Sequence, residues 1–349
     1  MPRRDIFSTP NSLKKTNNDT PIDFKQLPKA ELHCHLLGVL NPSLLGDLNK
    51  KGHKLLIPKD QIHTVSPIQC KEDFQNWIDW LKPYQSATWV AYQPIIAGHL
   101  ESLVAQNVKY VELMISPLMF PSQRNELVKE FKQFRDWVTQ LEQERIQMEF
   151  ILVMPRKLEE LKIKKNTLDY IALYKEGLIV GVAIVGLEDG SSIQKFSKAL
   201  ETCKKAGLGI EIHAGEHSGP ENVEDALEYG FVDRIGHGIG LFQKEQLIDK
   251  IASAGIHLEF CPTSNLRSGS IQQIQQLPIH LARSAGISFS INTDDPGFFD
   301  CSITHEYQQL AEYFQFERPD FLNLLENTLA AKFAPKFKYL SSEDILSSF

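Results

Sequence analysis

From Pro28 onward the chain alternates short, almost wholly apolar runs with longer stretches of mixed polarity. The runs are Ala30–Leu36, Lys109–Ile115, Glu149–Met154, Ile179–Gly186, Leu208–His213, Arg234–His237, Ile256–Cys261 and Ile287–Asn292. Most are near-continuous Val, Ile and Leu rather than alternating, the pattern of parallel strands covered on both faces. The stretches between them carry helical spacing. In Lys195–Lys205, Phe196, Ala199, Leu200 and Cys203 fall at i, i+3, i+4 and i+7, and Gly207 follows as a stop. Pro220 suits a first helical turn, with Val223, Ala226 and Leu227 behind it and Gly230 closing the segment. Leu247, Ile248, Ile251 and Ala252 repeat the pattern before Gly255. Eight strand–helix repeats over about 270 residues predict an α/β fold of the (β/α)₈ TIM barrel type, with an open doubly wound sheet as the competing arrangement. Two stretches exceed a minimal repeat. Residues 37–108, with Trp77, Trp80, Tyr84, Trp89 and Tyr92, form an inserted region after strand 1, and residues 303–349 a helical C-terminal extension. Residues 1–20 are polar and read as a flexible arm, which leaves 21–349 as a single domain.

Composition narrows the partners. Of 349 residues, 37 are Lys or Arg and 44 are Asp or Glu, a formal charge of −7 with no basic block. That balance argues against a nucleic-acid polymer or an anionic membrane surface and leaves small polar ligands open. The longest apolar stretch, Leu178 to Leu187, has ten residues including two glycines. A membrane span needs roughly 20. The N-terminus carries no apolar segment suited to a signal peptide, and Cys34, Cys70, Cys203, Cys261 and Cys301 are odd in number and scattered. Both features predict a cytoplasmic protein with reduced thiols.

The polar interruptions of the strands fall at their C-terminal ends, the face where barrels of this kind build active sites. The first strand closes with Glu31-Leu32-His33-Cys34-His35; histidines at i and i+2 on a strand share a face and can converge on one metal ion. The fifth closes with His213-Ala214-Gly215-Glu216, the sixth with Arg234-Ile235-Gly236-His237-Gly238, and the eighth with Ile291-Asn292-Thr293-Asp294-Asp295-Pro296-Gly297. Taken singly, His237 reads equally as a core histidine and Asp294-Asp295 as turn chemistry. Together, His33, His35, His213 and Asp294 supply three neutral nitrogens and one carboxylate, a set that suits zinc. A bound cation would hold Asp294 ionised and leave Asp295 to contact substrate. Glu216 lies past the strand end, where an acid reaches substrate without binding metal, and His237 is placed to contact the nucleophilic water. This is the inventory for hydrolysis by a metal-activated hydroxide. His217 reads as a solvent-facing neighbour of Glu216. The stretch Trp77–Tyr92 reads as helix packing over the barrel, with a lid over substrate as the functional alternative. His53, His63, His99, His280 and His305 read as surface or helix residues.

At these residues the sequence resembles the adenosine deaminase family of zinc-dependent purine deaminases. The matching segments are Lys29-Ala30-Glu31-Leu32-His33-Cys34-His35-Leu36, His213-Ala214-Gly215-Glu216, Arg234-Ile235-Gly236-His237-Gly238, Cys261-Pro262-Thr263-Ser264-Asn265 and Ile291 to Gly297, in the family's order and spacing. Tyr110-Val111-Glu112-Leu113 and Ser116-Pro117 fit as well. The resemblance implies one zinc ion per chain on His33, His35, His213 and Asp294. It implies that Glu216 protonates the purine ring nitrogen beside the attacked carbon, that His237 steers the hydroxide, and that Asp295 hydrogen-bonds the imidazole-ring side of the base. The Gly186 backbone amide would contact the purine, and His35 and Leu37 would face the substrate. The reaction would be attack at C6, a tetrahedral intermediate and loss of ammonia, on a small-molecule purine nucleoside or base.

Two positions depart from the family pattern. Where adenosine-specific members carry Asp, two residues after the second histidine, and adenine-specific ones tend to carry Glu, this chain has Leu37. An apolar side chain cannot accept a hydrogen bond from a 5′-hydroxyl. Met114 stands where an arginine is common. The expected substrate is adenosine or 2′-deoxyadenosine, with adenine or a 5′-modified adenosine such as methylthioadenosine as the alternative. Three other readings fare worse. Deaminases of the H-x-E, P-C-x-x-C type find only His257-Leu258-Glu259 here and no Cys-x-x-Cys. Amidohydrolases that bridge two metals with a modified lysine at the end of strand four find Ile184-Val185-Gly186-Leu187. A non-catalytic purine-binding protein would be expected to lack Glu216 or a ligand.

Overall fold

The computed structural model describes residues 21–63, 65, 68, 73–188, 190, 192–339 and 341–348; the predicted arm, residues 1–20, and Cys70 lie outside them. The eight expected strands are β1 (Lys29–His35), β2 (Val108–Ile115), β3 (Gln147–Pro155), β4 (Gly181–Val185), β5 (Gly209–Ala214), β6 (Arg234–His237), β7 (His257–Phe260) and β8 (Phe289–Ile291). They pair in parallel, in chain order from β1 to β8. Closure runs through the segment just past β8, where His35 N–H donates to the Asp294 carbonyl at 2.8 Å and Asp294 N–H to the His33 carbonyl at 3.0 Å. This is a barrel and not the open sheet. β8 is shorter than the sequence predicts, and just past its end Asn292 turns its side chain into the seam, where its Oδ1 accepts the Leu32 N–H at 2.9 Å. A side chain replaces part of the ladder at the point of closure.

The connecting helices end where the glycines stand. Ser197–Ala206 is closed by Gly207 at φ 102° and Glu245–Ala254 by Gly255 at φ 66°, both left-handed C-caps. Pro220–Leu227 starts at its proline as expected and stops three residues short of Gly230. The insertion after β1 holds helices Pro42–Lys50, Asp73–Trp80, Lys82–Gln85 and Trp89–Ala105, and the C-terminal extension holds Ile303–Phe314, Arg318–Ala330 and Ser342–Ser347. Trp77, Trp80, Tyr84, Trp89 and Tyr92 are buried, and the Trp77 ring packs 4.9 Å from that of Phe298 in the loop after β8. Their burial fits helix packing over the barrel, as the sequence suggests.

The C-terminal extension also closes the barrel floor. Phe333 sits against the start of β5, where a Cβ on Gly209 would stand 2.1 Å from its ring. The Arg234 guanidinium lies 3.5 Å above that ring and reaches Glu112 at 2.6 Å and Glu259 at 2.7 Å. The buried cation is thereby paired from both sides. The described cysteines Cys34, Cys203, Cys261 and Cys301 are free thiols, and no helix among the described residues is long and apolar enough to cross a membrane.

Candidate active site

β1, β5 and the turn after β8 bring His33, His35, His213 and Asp294 together, with their donor atoms all within 4.8 Å of one another. His35 Nε2 and His213 Nε2 are 3.1 Å apart, and Asp294 Oδ1 is 3.3 Å from both His33 Nε2 and His35 Nε2. His33 Nε2 is buried and has no hydrogen-bond partner among the described residues. A buried imidazole nitrogen that makes no hydrogen bond, facing two more imidazoles and a carboxylate, fits a divalent metal, and the three-nitrogen, one-oxygen set fits zinc.

The backs of these ligands are held by residues to which sequence reading gave no role at the site. Glu259 Oε2 lies 3.0 Å from His33 Nδ1, and Glu211 Oε1 lies 3.0 Å from His213 Nδ1. Ser264 Oγ donates to Asp294 Oδ2 at 2.6 Å. Carboxylates on the Nδ1 side turn each Nε2 toward the common centre. Burial would raise the Glu259 carboxyl, but the Arg234 guanidinium and the His33 hydrogen bond outweigh it and hold the group down to about 2. Glu211 is pushed well above the usual range by burial and then by the charge of Glu259. Gly236 leaves the room for this packing, since a Cβ there would stand 2.7 Å from Glu211 Oε1 and 2.8 Å from His33 Cε1. A signal existed in the sequence: Glu211 and Glu259 are acids inside otherwise apolar strand runs.

Beside the cluster, Glu216 Oε2 is 3.7 Å from His237 Nε2. The Asn265 amide nitrogen is 3.1 Å from His237 Nδ1, which fixes the ring with Nε2 toward Glu216. His237 and Asp294 both adopt left-handed backbone, at φ 64° and 62°. For residues other than glycine this costs about 1–2 kcal/mol each, strain stored at the strand ends that carry the chemistry. Burial would raise the Glu216 carboxyl, yet the His237 charge, then the hydrogen bond and charge of His217, outweigh it and hold Glu216 down to about 2. His217 is exposed, as the sequence suggests, and it also engages the acid. Its Nε2 lies 3.2 Å from Glu216 Oε1.

The remaining predicted positions lie on the same rim. Asp295 follows Asp294, and burial, then the Asp294 charge, pushes its carboxyl well above the usual range. Gly186 leaves β4 at φ 100°. Leu37, two residues past His35, opens the 3₁₀ turn Leu37–Val39. Met114 has a plain packing role: it is buried in the apolar cluster that contains Leu32 and Ile151.

The loop that carries Glu216 is anchored by Glu188, another residue missed in the sequence. Its carboxylate accepts the backbone N–H groups of Gly215 at 2.5 Å, Glu216 at 3.0 Å, His217 at 2.9 Å and Ser218 at 3.0 Å. Glu188→Gln turns a four-fold acceptor into an amide with only one acceptor oxygen. The expected result is a loss of at least about 2 kcal/mol in denaturant unfolding together with a fall in kcat, since charge-assisted hydrogen bonds contribute about 1.5–3 kcal/mol each. Unchanged stability and turnover would show that the loop is held by other contacts.

Fold and donor set together define the class, a closed (β/α)₈ barrel equipped at its C-terminal rim for metal-assisted hydrolysis. Residues 28–344 match the family profile described as adenosine deaminase, and the chain belongs to that family. It is a hydrolytic deaminase. It is 27% identical over 325 residues to an adenosine deaminase of Vibrio atlanticus, covering 90% of this chain and 96% of that one. It is also 28% identical over 331 residues to an adenine deaminase of Sphingopyxis alaskensis, covering 91% and 94%. Among solved structures, the Arabidopsis N6-mAMP deaminase superposes with a TM-score of 0.78 at 22% identity, over 93% of this chain and 99% of that one.

Proposed function

We propose that this protein, acting in the cytoplasm as a single barrel domain over residues 21–349, removes the 6-amino group of adenosine or 2′-deoxyadenosine to give the inosine product and ammonia. The observation that carries the reading is the convergence of His33, His35, His213 and Asp294 beside the Glu216–His237 pair. One zinc ion per chain would be held by those four residues, and the chemistry it supplies is a water deprotonated near neutral pH. His237, with Nδ1 engaged by Asn265, presents Nε2 to orient the attacking oxygen toward C6. Glu216 is ionised in the open site; a purine seated against it would exclude water and favour its neutral form, which gives a proton to N1 and lets negative charge leave the ring as the new C–O bond forms. Asp295, next in the chain to Asp294, would hydrogen-bond the imidazole-ring side of the base, and the Gly186 backbone amide would contact the purine. The proton that remains on the attacking oxygen leaves with the amine as ammonia.

A second substrate reading is favoured by one specific feature. Leu37 borders a cavity of about 190 Å³ whose other walls are Leu36, Tyr92, Met119, Gln85 and Ser116. Mostly apolar walls beside the site suit a 5′-substituent such as a methylthio group better than a bare hydroxyl. Ammonia release from adenosine, 2′-deoxyadenosine, adenine, AMP and methylthioadenosine ranks these readings. Leu37→Asp should raise kcat/KM for adenosine and lower it for methylthioadenosine, by about 10-fold in their ratio. If adenine is turned over far better than any nucleoside, the adenosine reading falls.

A further inference from the structure

We propose that His217 is a proton-relay and positioning residue that recharges Glu216 between turnovers, a role that rests on the reading of Glu216 as the donor to N1. The geometry is a chain of polar atoms leading outward. His217 Nε2 lies 3.2 Å from Glu216 Oε1, and its Nδ1 lies 2.8 Å from Ser270 Oγ, which is 3.1 Å from Ser268 Oγ. Glu216, His217, Ser218, Gln243, Ser268 and Ser270 all line one cavity of about 330 Å³. The Glu216 side chain is 14% exposed and that of His217 21% exposed, so both reach this cavity and the imidazole reaches it the more.

The need for such a residue follows from proton balance. The proton that Glu216 gives to N1 stays in the product, so each cycle leaves Glu216 as a carboxylate. The first proton of the nucleophilic water is released to solvent and the second departs with ammonia, so one proton must return from solvent to Glu216. A purine seated against Glu216 Oε2 covers that side of the acid, while Oε1 keeps its contact with His217. With the purine excluding water, the neutral acid is favoured, so the Nε2–H bond breaks as the Oε1–H bond forms, and the imidazole takes its next proton from the open cavity. Ser270 holds the ring in register through Nδ1. Imidazole is suited to this because its charge changes near neutral pH.

The test is steady-state kinetics of the zinc-loaded full chain, with adenosine as substrate, in buffers of differing acid concentration. His217→Ala should lower kcat about 10-fold or more with little change in KM, and its kcat should rise with the concentration of small acidic buffer species, while wild type is insensitive to them. His217→Gln retains an amide hydrogen bond to Glu216 without a transferable proton. It should fall with His217→Ala and show the same buffer rescue. Wild-type turnover in His217→Gln, or a loss in His217→Ala that no buffer relieves, would overturn the relay. Glu216→Gln separates the two levels. If it is as active as wild type, the reading of Glu216 has failed; if it is inactive while His217→Ala is normal, only the relay has failed.

Discussion

Glu216→Gln is expected to lower kcat by about 10²-fold or more while metal content and thermal unfolding stay near wild type. The size of the effect comes from removing a general acid, a contribution of about 10²–10⁴-fold in enzymes that transfer a proton in the transition state. Specificity of the effect comes from geometry. The side chain faces His237 at 3.7 Å and His217 at 3.2 Å, and it is absent from the set of donors that could share a metal with His213. The loop is held through Glu188 and backbone amides, so an isosteric amide at 216 disturbs no anchor. Metal analysis and a pre-steady-state substrate-binding measurement would accompany the rates. Retained turnover would assign the proton donation elsewhere, and a loss of metal would show that Glu216 belongs to the ligand sphere.

Barrel, rim and metal cluster were legible in the sequence because each depends on local pattern. Continuous apolar runs mark strands buried on both faces, left-handed glycines such as Gly207 and Gly255 mark helix ends, and histidines at i and i+2 on β1 share a face by strand geometry alone. The roles that were not legible depend on contacts between residues on different strands and loops. Glu259 on β7 serves His33 on β1, Asn265 serves His237, and Glu188 after β4 serves the loop after β5. No periodicity announces such pairs, since each partner is positioned by the closure of the barrel rather than by its own neighbours. His217 shows the same limit. Next to Glu216 in sequence, it looked like a bystander, and only the turn at Gly215, with φ 71°, folds its ring back onto the carboxylate.

Asp294→Asn should weaken metal binding by more than about 100-fold and take deaminase activity with it, because even partners outside the ligand set cost 10–100-fold in such sites. The substitution is chosen for what it keeps. Asparagine tolerates the left-handed backbone found here at φ 62°, and its side chain can still accept from Ser264, so the loop after β8 need not move. What it removes is the only carboxylate in the four-donor cluster, leaving three neutral imidazoles to offset a divalent charge. Wild-type protein treated with a strong chelator should lose activity in parallel, and zinc should restore it. Elemental analysis of the untreated enzyme should then find about one zinc per chain, as four protein ligands with one open position require. Two per chain would point instead to a bridged pair. The end of β4 argues against that, since Ile184, Val185 and Gly186 offer no side chain that could hold a second ion. Full turnover of the chelated protein would remove metal from the mechanism altogether and leave the His33–Glu259 and His213–Glu211 contacts as a buried polar network without a catalytic task.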